Sequence, residues 1–142
     1  MDLLALFLAD HAEAVNGKLY VTGGFWDRIF AANFPTKHPH MTACVVVSVP
    51  WTETNQEHSL MLALLDADGN EMGPKIEGRF EVGRPPGARA GDASLFQLAV
   101  HLNNMTFPRA GEYSFAVQLD DEPKLPRATF KVVKATVQGL PT

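Results

Sequence analysis

The sequence predicts an all-β protein, a single-domain antiparallel β-sandwich of immunoglobulin-like or jelly-roll type with about eight strands. Apolar residues alternate with polar ones over 41–49, 76–82, 95–102 and 113–119, which is the period of half-buried strands. Gly, Pro, Asn and Asp separate these segments at short intervals, and no segment has the spacing of an amphipathic helix. Antiparallel strands with one solvated face pack as two sheets, which gives the sandwich.

The first elements predict a hairpin. Strands over 3–14 and 18–24 flank Asn16-Gly17, a pair that suits a type I′ turn. The first strand is apolar on both faces, so we expect it to be central in its sheet or to face a second subunit. Gly23-Gly24 predicts a bend, and the prolines that follow predict an irregular connection over 25–40.

The later strands follow from alternation. Leu60, Leu62 and Leu64 point inward on the strand over 59–66, whose second face is unusually apolar because it carries Met61, Ala63 and Leu65. The Pro/Gly-rich segment 83–92 is expected to cross between the sheets. Further strands are expected around 113–119 and 128–132. We expect the sandwich to span 1–137 and a short C-terminal tail to span 138–142.

Composition limits the function classes. A chain of 142 residues with 46% hydrophobic and 20% charged residues fits one globular domain. Its net charge of −4 argues against nucleic-acid binding. The single Cys44 excludes an intramolecular disulfide and suits a reducing compartment. The apolar run 3–9 is shorter than the about 20 residues of a membrane span. We therefore expect a cytoplasmic protein with no membrane association.

Two stretches resemble a known family. Asn16-Gly-Lys-Leu-Tyr-Val-Thr-Gly-Gly-Phe-Trp-Asp-Arg-Ile-Phe30, with Asn33-Phe-Pro35 and His38-Pro39 after it, is similar to a family of uncharacterised bacterial proteins that is known only as a domain of unknown function. Phe107-Pro-Arg-Ala-Gly-Glu-Tyr-Ser-Phe115 and Asp66-Ala-Asp-Gly-Asn-Glu71 resemble it as well. The resemblance runs over nearly the whole chain. It implies a bacterial source and a compact all-β domain, and it implies no activity.

The segment 25–34 is the candidate binding site. It combines aromatic rings with an Asp-Arg pair, and aromatic and Arg side chains dominate interface hot spots. One interpretation is that the rings close one end of the sandwich; the other is that they form a partner or ligand surface. The candidate residues are Phe25, Trp26, Asp27, Arg28, Phe30 and Phe34.

No pattern predicts a metal, a cofactor or a catalytic residue. The segment from Asp66 to Glu77 has oxygen-bearing side chains at the spacing of an EF-hand calcium loop. Glu71 stands where that loop needs Gly, however, so we interpret the segment as a turn between strands. His38-Pro-His40 offers two imidazoles, and His11, His58 and His101 lie far apart in sequence, although a fold could gather them. No nucleophile elbow or P-loop is present.

We therefore expect a non-enzymatic interaction or assembly module that forms a homo-oligomer and has a possible protein partner. The oligomer would use the apolar second faces of 3–9 and 60–65 together with 25–34. Folding of the 25–34 aromatics over the strands of the same subunit is the competing solution. The alternative function is a small-molecule or carbohydrate-binding β-sandwich that uses 25–34, with Trp51 on the same rim.

Overall fold

The computed structural model describes residues 1–135, so the expected tail 138–142 lies outside the described residues. The described chain forms a two-sheet β-sandwich, which confirms the predicted fold class. A short 3₁₀ turn at Trp51–Glu53 is the only helical element among these residues. The strands are β1 (Asp2–Val15), β2 (Lys18–Gly24), β3 (Arg28–Ala31), β4 (Thr36–Val49), β5 (Glu57–Leu65), β6 (Glu71–Glu81), β7 (Ser94–Phe107), β8 (Gly111–Leu119) and β9 (Glu122–Lys134).

One sheet has the order β2-β1-β4-β7 and the other the order β3-β9-β8-β5-β6. The strand β1 lies between β2 and β4, as its two apolar faces predicted. The segment between β6 and β7 passes from the five-stranded to the four-stranded sheet, so the expected crossover at 83–92 is confirmed. Every pairing is antiparallel except that of β3 with β9.

The expectation of an irregular connection over 25–40 is wrong in two places. Arg28–Ala31 forms β3, because Ile29 is buried against the core and the segment pairs with β9. The strand β4 begins at Thr36 and tolerates Pro39, whose neighbours His38 and His40 both have partners on β7. Proline cannot donate to a ladder, and the pairing runs on around it. The sandwich therefore has nine strands rather than about eight.

The core lies between the sheets and is built from the alternating apolar residues of the strands. The inward residues predicted for 41–49, namely Met41, Ala43, Val45, Val47 and Val49, are all fully buried. The rings of Phe107, Tyr113 and Phe130 pack together with centroids 5.0–6.0 Å apart. Such a core fixes the register of β4, and a fixed register fixes which side chains the outer face of that strand presents.

Candidate metal centre

Three of the five histidines meet on one surface of the four-stranded sheet. His11 comes from β1, His40 from β4 and His101 from β7, and these three strands are adjacent. Their ring centroids form a nearly equilateral triangle with sides of 5.6, 5.5 and 5.3 Å. Each ring offers one nitrogen, and these atoms lie within 4.8 Å of one another. We call these residues the histidine triad.

The strand register explains the meeting. Thr42 of β4 pairs with Ala9 of β1 on one side and with His101 of β7 on the other. Side chains two residues apart on a strand share a face, so His11 and His40 follow Ala9 and Thr42 on that same face. Met41 and Leu102 alternate with the triad residues and point into the core. The triad therefore lies on the outer face, within reach of solvent.

Neighbouring polar groups orient two of the rings. His40 Nδ1 lies 2.7 Å from Asn103 Oδ1, and because a carbonyl oxygen only accepts, this nitrogen carries the proton. His11 Nε2 lies 3.1 Å from Glu13 Oε1, a carboxylate acceptor, so this nitrogen is a donor as well. Hydrogen bonds of this kind set the tautomer and orientation of metal-binding histidines in known sites.

These bonds leave two lone pairs facing each other. In the neutral rings His11 Nδ1 and His40 Nε2 are both acceptors, and they stand 3.4 Å apart. Two acceptors at that distance repel unless a proton or a metal cation lies between them. Two nitrogens bound to one tetrahedral Zn²⁺ at about 2.0–2.1 Å are about 3.3–3.4 Å apart. The observed separation matches the edge of such a polyhedron.

Thr42 forms the floor of the triad. Its side chain is fully buried, and its hydroxyl lies 3.4 Å from both His40 Nε2 and His101 Nδ1. A hydroxyl carries one proton and can donate to one of these nitrogens at a time. It therefore leaves at least one imidazole nitrogen on this side without a proton from Thr42, and His101 offers a nitrogen within 4.8 Å of those of the other two rings.

The other two histidines are placed elsewhere. The ring of His38 lies 6.0 Å from that of Trp26, and burial lowers its pKa although Asp10 opposes the shift. His58 is buried, with Nδ1 at 2.7 Å from Asp120 Oδ2 and Nε2 at 2.6 Å from the carbonyl oxygen of Glu53. Burial lowers the pKa of His58, but these hydrogen bonds outweigh it and raise the pKa above the ordinary value. Both ring nitrogens of His58 face oxygen acceptors, a geometry that favours the doubly protonated ring.

The Asp66 loop and Cys44 carry further groups of metal-binding type, and both have a structural role. The Asp66 loop forms the predicted turn: Asp66 Oδ1 accepts from the backbone N–H groups of Asp68 and Asn70, both at 2.9 Å. These amide hydrogen bonds, the one from Asn70 foremost, lower the pKa of Asp66. Cys44 is fully buried, and burial raises the pKa of its thiol to about 11, so it is not the thiolate that a metal requires.

The aromatic segment divides between the two interpretations. Trp26 and Phe34 are partly buried and pack against the core. Phe25 is 79% exposed and stacks on Phe7 at a centroid distance of 4.5 Å. Gly24 pairs with Ala9 of β1, and the backbone N–H of Phe25 then donates to the carbonyl oxygen of Leu8 at 2.8 Å, which keeps Phe25 beside β1. Phe25 therefore covers part of the second face of β1 from within the same subunit, while Trp26 and Phe34 pack against the core.

The remaining candidates of this segment lie at its edge. Asp27 and Arg28 are exposed, and Phe30 is half-buried. Trp51 does not share a rim with Trp26: the latter lies by His38 near the start of β4, and Trp51 follows the end of that strand. A strand of this length separates the two indoles by roughly 40 Å, at about 3.3 Å per residue. A joint two-indole site is therefore excluded.

The histidine triad is the site that sequence reasoning missed. The signal that could have found it is the alternation of 41–49 and 95–102, which already places Thr42 and His101 on the faces opposite the core. Periodicity does not say which strands are neighbours or in what register they pair. Without the β1-β4-β7 order, His11, His40 and His101 remain three separate residues.

Comparison with known proteins identifies a family whose function is unknown. The model of a family described as "Family of unknown function" matches residues 4–133, which confirms the resemblance expected from the sequence. No curated protein matches the chain. Within residues 1–135, no helix has both the length and the apolar character needed to cross a membrane.

Proposed function

The chain belongs to a family of unknown function (DUF6941), whose description assigns no activity, so we propose a function from the geometry of the site. In this proposal the protein binds a transition-metal cation of the Zn²⁺ type at the histidine triad. The observation that carries the proposal is the pair of unprotonated imidazole nitrogens that face each other at 3.4 Å. The N–H group of each ring is on its other nitrogen and points away, to Glu13 or Asn103. His101 supplies the third nitrogen.

The ligand chemistry selects the class of metal. Three imidazoles suit Zn²⁺, Cu²⁺, Ni²⁺ and Co²⁺, whereas Mg²⁺ and Ca²⁺ prefer carboxylate, carbonyl and water oxygens. Three neutral ligands leave a fourth position of a tetrahedral ion for water or an external donor. The triad residues are exposed or half-buried, so an ion from solution reaches the site without any opening of the fold.

The proposal is tested with Co²⁺, which reports its own geometry. We expect the purified full chain, freed of metal by a chelator, to bind one Co²⁺ with the intense visible absorption of a tetrahedral complex. Zn²⁺ should displace it, and a large excess of Mg²⁺ should not. Because protons compete with the metal for the same lone pairs, the absorption should disappear on acidification. Absence of a stoichiometric complex at micromolar protein would refute the proposal.

We propose further that the protein is a binding module rather than an enzyme and that it lies in the cytoplasm of a bacterium. Two observations support the non-enzymatic part. The triad lies on an exposed sheet face, and the carboxylate of Glu13 beside it is already engaged with His11. A three-histidine zinc site with a free position can also activate water. Reproducible ester hydrolysis by the zinc-loaded protein, lost together with the metal, would overturn the non-enzymatic part.

A second candidate function, self-association, is favoured by Phe25. This ring is 79% exposed beside Phe7, and it is the most exposed large apolar side chain among the described residues. On the opposite sheet Leu125 is 77% exposed and lies beside Met61 and Ala63. These two residues belong to the apolar second face that the sequence predicted for their strand. A stable interface needs about 800 Å² from each partner, and two such patches supply anchors for it.

Self-association predicts a dimer or larger assembly in light scattering at tens of micromolar. Phe25→Lys should lower the measured mass, because a charge at a buried interface anchor is not tolerated. Leu95→Lys is the matched control: Leu95 is also exposed, but it lies near the other end of the four-stranded sheet, and the mass should stay unchanged. A monomeric wild type would end this candidate.

A further inference from the structure

The free edges of the two sheets leave a cleft between β6 and β7. These strands are the edge strands on one side of the sandwich. At one end the edges are joined, because Phe80 of β6 stacks on Phe96 of β7 at a centroid distance of 4.6 Å. At the other end, near Met72 and Met105, they are separate and enclose a volume of about 640 Å³.

The backbone is shaped to hold the cleft open. Leu62 of β5 pairs with Ile76 and Leu64 pairs with Met72, so a stretch of three residues on β5 faces one of five on β6. The extra residues form a bulge that includes Gly73, at a φ of 68°. On the opposite wall Asn104 has a φ of 53°, three residues before the end of β7. Each edge strand is therefore distorted where it borders the cleft.

The lining of the cleft is apolar and carries no fixed charge. Its floor consists of core side chains such as Leu62 and Phe115, which are 1% exposed. Met72 and Met105 lie on opposite walls, and unbranched thioether side chains adapt to ligands of different shape. Among the described residues that line it, there is no Asp, Glu, Lys or Arg, and His101, two asparagines and one threonine form the polar part.

We propose that this cleft binds one uncharged, apolar small molecule. Its volume falls in the range of about 300–1,000 Å³ that is typical of small-molecule pockets, so the occupant proposed is a small molecule rather than a folded partner. A charged ligand would lose its hydration without gaining an ion pair, so the lining selects a neutral one. His101 of the triad also lines the cleft, but the apolar contacts proposed here involve no triad nitrogen, so the two proposals are tested separately.

The test uses N-phenyl-1-naphthylamine, a neutral probe that fluoresces in apolar surroundings. We expect saturable binding of one probe per chain. Ile76→Trp and Met105→Trp each fill the cleft from a different wall and should weaken binding at least tenfold. Leu95→Trp adds the same indole at an exposed position outside the cleft, and it should bind the probe as the wild type does. An anionic analogue, 1-anilinonaphthalene-8-sulfonate, should bind at least tenfold more weakly.

Methionine methyl resonances of the wild type give a readout that needs no substitution. On probe addition the methyl signals of Met72 and Met105 should shift with the same saturation curve, while that of Met61, on the outer face of its sheet, should not. Equal binding by the filled variants, a shift confined to Met61, or no saturation at all would each overturn the proposal. A doubled mass that both Trp variants abolish would also overturn it, because a second chain would then occupy the cleft.

Discussion

Replacement of His40 by alanine is expected to weaken Co²⁺ and Zn²⁺ binding by more than about 100-fold. His40 lies between the other two ligands, and its Nε2 is the nitrogen that faces His11 Nδ1 at 3.4 Å. Changes to residues that only orient a ligand already cost about 10- to 100-fold in affinity, so loss of a ligand should cost more. The tetrahedral Co²⁺ spectrum should vanish at metal concentrations that saturate the wild type.

His38→Ala is the matched control for this prediction. It removes the same ring two residues earlier on the same strand, but His38 lies against Trp26 and outside the histidine triad. Its metal affinity should equal that of the wild type. Equal weakening by both substitutions would show that the metal is bound by the pair His38 and His40, as the sequence motif alone allows, and would contradict the triad.

Asn103→Ala separates orientation from ligation. Asn103 is a positioning residue, because it accepts the Nδ1 proton of His40 at 2.7 Å and does not itself belong to the triad. We expect its substitution to weaken metal binding by about 10- to 100-fold while the tetrahedral Co²⁺ spectrum is retained. A changed spectrum at full saturation would instead make Asn103 a ligand.

The sequence predicted what depends on local periodicity and missed what depends on pairing. Alternation placed Met41 and Val45 in the core, and the structure confirms both. The strand β3 was missed because it has four residues and pairs in parallel with a strand about a hundred residues later, which no local pattern reveals. The triad was missed for the same reason, since strand order and register bring its members together.

The aromatic segment shows a different limit. Composition marked 25–34 as either a plug of the sandwich or a partner surface, but it did not separate rings that pack inward from rings that stay outside. Trp26 packs on the core, whereas Phe25 follows the Gly23-Gly24 bend and stacks on Phe7 with a φ of 63°. That separation depends on the backbone path after the bend, and two adjacent glycines permit several paths.

The second large effect is the loss of folding stability that we expect when His58 is replaced. His58→Ala is expected to lower the free energy of unfolding by about 3 kcal/mol, because hydrogen bonds to charged groups contribute about 1.5–3 kcal/mol each and His58 makes two of them. One of these acceptors is the carboxylate of Asp120, which also accepts from the backbone N–H of Ser59 at 2.9 Å. The ion pair of His58 and Asp120 therefore joins β5 to the turn after β8. Urea unfolding at pH 5.5 measures the effect.

The effect of His58→Ala should depend on pH with a defined sign. The pKa of His58 is raised in the folded protein, so its contribution is fully present below the unfolded pKa of about 6.5 and is lost as the pH rises through the folded pKa. The pKa of Asp120 is lowered, as the hydrogen bonds from Ser59 and His58 outweigh burial, so its contribution is lost as the pH falls through the folded pKa.

The stabilising window therefore lies between the acidic transition of Asp120 and the transition of His58 above about pH 6.5. The difference in unfolding free energy between wild type and His58→Ala should be largest near pH 5.5 and should shrink toward pH 9. Asp121→Asn, a charge change at the neighbouring exposed position, is the control and should alter stability by less than about 0.5 kcal/mol. A difference that stays constant from pH 5.5 to 9 would mean that the contribution of His58 does not depend on its charge, and would contradict the prediction.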